Sequence, residues 1–449
     1  RHHTVYRHDF DFRHCDVWHV SEFGSRRWLL IARLSVDTEL ARSRSVSMTK
    51  TQTKPVPNPK HVTISGAPEG FDARLILAEA ESGAVVHICR DDKRVEAMRA
   101  ALAFFAPNMP VLIFPSWDCL PYDRVSPNAD VSAARMAVLA GLAHGMPERF
   151  VLLTTLNAAT QKVPARSVLR EAAFSARVGS RIDEAALRAF LVRMGFTQAP
   201  TVMEPGDYAV RGGIIDIYPP GQIGPVRLDL FGDDLEGARR FDPATQRTTE
   251  TLDVVDLAPV SEVILDDAAI TRFRQNYRLE FGAAGTDDPL YEAVSAGKKH
   301  AGVEHWLGFF HAELETVFDY LTGATVTLDE QNAAQRDARW VSIDDQYDAR
   351  REAMLAKGRM DSVYKPAAPS GLYLDGPAWE AALRNFRVMQ LGALPQATGP
   401  GVIDAGGRIG RNFAPERQQE SVSLFGALAD HLKAKIELGP VVVASYSQG

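Results

Sequence analysis

The strongest constraint on the fold is the spacing of turn residues between Gly206 and Thr248. Gly212-Gly213, Pro219-Pro220-Gly221, Gly232-Asp233-Asp234 and Asp242-Pro243 punctuate this stretch too often for helices. Proline lacks a backbone donor, and glycine tolerates the positive φ of tight turns. The runs between these breaks read as a meander of short antiparallel strands: Gly213 to Tyr218, Pro225 to Phe231 and Leu235 to Phe241. The second alternates with period two, Val226, Leu228 and Leu230 on one face and Arg227, Asp229 and Phe231 on the other. If the Val/Leu face is core, Phe231 shares the solvent face with Arg227, the composition of a binding hot spot. In the competing reading both faces are covered and Phe231 is ordinary core. Upstream, Arg181–Phe196 reads as an amphipathic helix capped near Asp183, with Leu187, Phe190, Leu191 and Met194 inward. One helix covers one face, which favours an outward Phe231.

From His61 the pattern changes to alternating strands and helices: strands at 61–65, 84–89, 110–114 and 150–155, helices at 70–81, 92–105 and 129–144. Such alternation argues for a parallel sheet with helices on both faces. At the first strand-to-helix turn, Gly66 and Gly70 stand where a phosphate-binding G-x-x-x-x-G-K-[ST] loop would sit. No lysine or hydroxyl follows, and Glu69 and Asp72 put negative charge where a helix start should meet an anion. The loop reads as a relic without its chemistry. Asp329 and Glu330, after a buried strand at 324–328, stand where an ATPase holds magnesium and water. Without the loop lysine they read as a second relic, or as a polar strand end. Trp117 and Tyr122 could stack on bases, but packing beneath a proline-bounded loop is the simpler role.

Tyr208 to Pro219, then Arg227-Leu228-Asp229-Leu230-Phe231, Phe241-Asp242-Pro243 and Thr245 to Thr248, resemble in order the N-terminal region of the bacterial transcription-repair coupling factors. That region is itself similar to the excision-repair helicase subunit UvrB. The resemblance extends from Met48 to Gly449. It implies a degenerate helicase-like (RecA/UvrB-like) α/β domain that no longer binds nucleotide, interrupted by a small α+β domain of antiparallel strands that docks the repair subunit UvrA. An incomplete C-terminal α/β unit would follow. The family positions that contact UvrA match Arg211, Arg227 and Phe231. UvrB itself would keep the loop lysine and a tyrosine-rich hairpin after 116, and neither is present here.

The expected organisation is an unordered extension over 1–47, a first half-domain over 48–170, the UvrA-binding domain over 171–256 and a second half-domain over 257–393. A linker and the start of a further α/β domain occupy 394–449. Residues 1–47 hold five of the twelve histidines without metal-ligand spacing, and Met48 reads as the natural start. The last unit stops one strand after its helix, so the chain reads as cut short. RNA polymerase and DNA would then be reached only through modules that are not here.

A net charge of −7 argues against nucleic-acid binding through bulk positive charge. Cys15, Cys89 and Cys119 are too scattered for a disulfide framework or a metal motif. No apolar run approaches a membrane span, and a cytoplasmic location is expected. No catalytic residue, metal or cofactor is expected. Three functions compete: a UvrA-docking module, a UvrB-related nucleic-acid-dependent ATPase, and a non-functional remnant. The second needs a loop motif that this sequence does not contain.

Overall fold

The computed structural model describes residues 15–18, 30–34, 60–172, 174–282, 288–356, 364–397, 399–408, 410–418, 423–439 and 441–445. Residues 58–408 form one unit; 1–57 and 409–449 form another.

The larger unit is built on a seven-stranded parallel sheet. Its spatial order is Val402–Asp404, His61–Ser65, Arg387–Leu391, Thr325–Leu328, Val85–Cys89, Val151–Thr155 and Val111–Phe114. Its central strands Val85–Cys89 and Val151–Thr155 are buried on both faces. Val86, Ile88 and Leu152 pack towards the helices Ala129–His144 and Gly376–Leu383. Val85, Cys89, Val151 and Leu153 pack towards Phe71–Ala80 and Asp92–Phe105. Asp91 starts the helix after Val85–Cys89 by accepting from the Arg94 amide at 2.7 Å, which satisfies a donor that a helix start leaves free.

One expectation needs correcting here. Val402–Asp404, read as opening a further α/β domain, instead adds to the edge of this sheet, because its backbone pairs with Thr63–Ser65. Arg166–Glu171 is a helix with Leu169 in the core. The helix Ala129–His144 is buried nearly all round, its core side including Arg135. Trp117 and Tyr122 are both buried, as the packing role requires.

Strands Phe174–Arg177 and Val254–Leu257 pair antiparallel and close the root of the inserted domain. Between them run the helix Glu184–Arg193 and a six-stranded sheet. Its order is Thr248–Leu252, Asp234–Phe241, Val226–Phe231, Ile214–Ile217, Asp207–Arg211 and Thr197–Gln198. Asp183 caps the helix, and Leu187, Phe190, Leu191 and Met194 are buried against Ile215, Ile217, Val226, Leu228 and Leu230. Gly212-Gly213 does not open a strand; it turns a hairpin between Asp207–Arg211 and Ile214–Ile217. A side chain at Gly213 would strike the Leu230 carbonyl at 2.4 Å, so the close approach of these strands requires glycine.

Just beyond this root, Glu262 joins the insert to the large sheet. Its carboxylate accepts from Arg135 Nε at 2.5 Å and from Trp117 Nε1 at 3.1 Å, all three groups being buried.

In the smaller unit, Cys15–Trp18 and Leu30–Leu34 pair as an antiparallel hairpin, and the latter strand also pairs with Val442–Ser445. The helices Ala414–Gln418 and Leu424–Ile436 belong to the same unit. These two short strands lie within the stretch read as an unordered extension; the rest of 1–47 lies outside the described residues.

Candidate functional site

The face of the six-stranded sheet away from the helix carries the three residues singled out in the sequence. Val226, Leu228 and Leu230 point into the core, so Arg227, Asp229 and Phe231 alternate outward. Direct cross-strand pairing places Arg211, Ile214 and Asp229 in one row, and paired residues share a face. Arg211, Arg227 and Phe231 are therefore brought together on one surface.

Their environments differ. Phe231 is 74% exposed. Its strand end is nonetheless held: Ile182 donates its amide to the Asp233 carbonyl at 2.6 Å, and Gly179 to Leu235 at 2.8 Å. The ring is thus displayed on a fixed edge. Arg211 is exposed and donates through Nη2 to the Pro200 carbonyl at 2.7 Å and to Thr201 Oγ1 at 3.3 Å. Arg227 makes a two-point fork on Asp216, at 2.7 and 2.8 Å, and its guanidinium lies 4.6 Å from the centroid of the Phe241 ring. The bond to Asp216 raises the Arg227 pKa above its ordinary value. Asp216 is 1% exposed, so Arg227 neutralises a carboxylate that burial would otherwise penalise. Arg227 is thus held in an internal pair that uses two edges of its fork.

Part of this face is covered by the loop carrying Val202, which packs on Ala209 and Phe241. Two features escaped the sequence reading. Ile214 is an exposed apolar residue in the Arg211 row, and Arg239 pairs with Asp229 beside it. Ile214 was legible in principle, since it is out of phase with the buried Ile215 and Ile217.

The degenerate nucleotide loop is a contrasting site. Gly66 and Gly70 hold φ of 66° and 93° and flank the turn into Phe71–Ala80. The helix start is occupied by the chain's own Asp72, whose Oδ1 accepts from Gly70 N at 2.9 Å and Ala73 N at 2.8 Å. Gly407 donates its amide to the Gly66 carbonyl at 2.9 Å and lies directly on the loop.

Asp329 is buried while Glu330 is exposed, so the structure separates the acidic pair. Glu330 Oε2 accepts from the Ala393 amide at 3.2 Å. Between the two relics lies Arg94, 3% exposed, which pairs with Asp72 and reaches Asp329 at 3.4 Å. Asp329 also accepts from the Arg90 amide at 3.1 Å. Burial pushes the Asp72 pKa up, and the Arg94 charge opposes that rise. Arg94 gave no signal in the sequence, because its partners stand 22 and 235 residues away.

The described residues contain no helix long and apolar enough to cross a membrane. The sequence profile of the UvrB interaction domain matches residues 174–262. A transcription-repair-coupling factor of Escherichia coli is 30% identical over 381 residues, 83% of this chain and 31% of that protein. A transcription-repair-coupling factor of Haemophilus influenzae is 29% identical over 330 residues, 73% of this chain and 28% of that protein. One of Myxococcus xanthus is 32% identical over 336 residues, 70% of this chain and 27% of that protein. The chain thus spans under a third of the length of these relatives. Residues 174–262 thus match the UvrB interaction domain, and the chain is similar over most of its length to a region of the transcription-repair-coupling factors.

Proposed function

We propose that this chain is a docking module that recruits UvrA through the outer face of its inserted domain, with Arg211, Arg227 and Phe231 as the contact residues. The observation that carries this reading is Phe231: a phenyl ring 74% exposed at the end of a strand held by backbone bonds. A rigid apolar anchor flanked by arginines suits a partner surface that offers carboxylates around an apolar pocket. RNA polymerase and DNA are assigned to parts of the longer relatives that this chain does not span. The chain itself turns over no nucleotide, a reading supported by Asp72 at the helix start and Gly407 on the loop. Millimolar ATP should leave the melting temperature unchanged; stabilisation by ATP or turnover above blank overturns this part.

The docking reading is tested by titrating purified UvrA against wild type and Phe231→Ala, without ATP or DNA. Hot-spot truncation costs at least about 2 kcal/mol, about thirtyfold in affinity, and the melting temperature should not move. Equal binding by wild type and variant, or no binding by wild type, overturns it.

A further inference from the structure

The strands Val85–Cys89 and Thr325–Leu328 are parallel neighbours inside the large sheet. Residues two apart on a strand share a face, so His87 and Cys89 project together, and Asp329 follows the end of the adjacent strand. One ligand atom from each of His87, Cys89 and Asp329 lies within 4.8 Å of the others, and all three residues are buried. No spacing in the sequence announces this cluster, since its third member comes from a strand distant in sequence.

The hydrogen bonds fix what the imidazole offers. Thr327 Oγ1 donates to the Val86 carbonyl at 3.3 Å and so presents a lone pair to His87 Nδ1, 2.9 Å away. Nδ1 is engaged by that hydroxyl, so Nε2 is the ring nitrogen left for another partner. Nε2 is fully buried and has no hydrogen-bond partner. The Asp329 Oδ1 atom faces it at 3.7 Å and accepts from Arg94 Nε at 3.4 Å, which leaves a further lone pair on that oxygen. Asp329 Oδ2 is already engaged by the Arg90 amide. A buried ring nitrogen without a hydrogen-bond partner therefore faces a carboxylate oxygen beside a thiol, and an unsatisfied buried polar atom costs free energy.

The charge balance points the same way. Asp72 and Asp329 share the single guanidinium of Arg94, which leaves one negative charge in excess. A divalent ion that displaces the Cys89 proton to solvent adds two positive charges and one thiolate, and brings the cluster to neutrality.

We propose that His87, Cys89 and Asp329 bind one divalent, thiophilic transition-metal ion, with nitrogen, sulfur and oxygen donors of the kind that zinc takes. The hydrogen bond between Nδ1 and Thr327 is the outer contact that orients a ligating histidine. The ion clamps the strand pair at the centre of the sheet, a structural role with no part in docking. Because the site is sealed, loading accompanies folding.

The test refolds the full chain with excess Zn2+ or Co2+, removes free metal, counts bound ions and reads cobalt–thiolate charge-transfer absorption. Wild type should retain an ion with that absorption and melt at a higher temperature than metal-free protein. Cys89→Ser should lose the band and bind at least about tenfold more weakly, whereas Cys119→Ser should keep both. An ion on the histidine-rich stretch near the N-terminus, which holds Cys15, would keep its band in Cys89→Ser and lose it in Cys15→Ser. Absence of a retained ion in wild type, or an unchanged band in Cys89→Ser, overturns the proposal. Should Cys89→Ser not fold, X-ray absorption on cobalt-loaded Cys15→Ser decides: one sulfur neighbour supports the site and none refutes it.

Discussion

The outer face of the inserted domain and the degenerate nucleotide loop both rest on an arginine that engages a buried aspartate. They use the pair in opposite ways. Arg227 neutralises Asp216 from the edge of a surface that still presents Phe231, Ile214 and Arg211 to solvent. Arg94 is sealed between Asp72 and Asp329, and the surrounding amides are spent on the same carboxylates. A surface retains binding capacity when its pairing leaves anchors free. A site loses it when its own side chains satisfy every donor that a ligand would use.

Four substitutions or conditions can break or sharpen this contrast. Arg94→Ala leaves two buried carboxylates without a counter-charge, which should destabilise the chain by about 3–5 kcal/mol, read as a lower urea midpoint. A change below about 1 kcal/mol would mean that the loop is not locked as described.

The second concerns His305, buried against Trp117 and Tyr122 with both ring nitrogens unpartnered. Burial lowers its pKa to about 4, outweighing the upward pull of Asp123, and Arg350 adds to the lowering. The folded state thus favours the neutral ring. Its stabilising contribution is complete above the ordinary value of 6.5 and is lost as pH falls towards about 4. The full loss is roughly 3 kcal/mol. His305→Phe should flatten this part of the acid limb; an identical pH profile in the variant would refute the assignment.

Third, Arg227→Ala should lower both UvrA affinity and stability, the latter by about 1–3 kcal/mol, because Asp216 is left buried and unpaired. Asp216→Asn combined with Arg227→Ala should recover part of the stability without recovering binding. Recovery of both would place Arg227 in the scaffold alone. Smallest in its effect on folding is Arg211→Ala, which should change stability by less than about 1 kcal/mol while costing about 1–2 kcal/mol of UvrA binding. Unchanged affinity would remove Arg211 from the surface.

Much of the architecture was legible before any coordinates. Period-two runs bounded by glycine and proline announced the meander, and the 184–193 helix was visible from its Asp183 cap and its apolar stripe. The outward face of Val226–Phe231 followed from the strand period alone, and Phe231 is exposed on it. These features are local, set by backbone geometry and by side chains a few residues apart.

Tertiary structure decided the rest. Val402–Asp404 carries no mark of which sheet it will join, because strand pairing is a backbone bond open to any edge. Arg94 and Arg135 gave no signal in the sequence and Arg227 was placed on the solvent face, yet each engages a buried carboxylate; the partners of Arg94 and Arg135 come from far along the chain. The cluster of His87, Cys89 and Asp329 likewise exists only because two strands separated by more than two hundred residues lie side by side. The sequence determined which segments are strands and helices and which face of each is apolar, since those depend on near neighbours. Which charges meet in the interior depends on long-range packing, where the energy of a charge is set by what the fold brings against it.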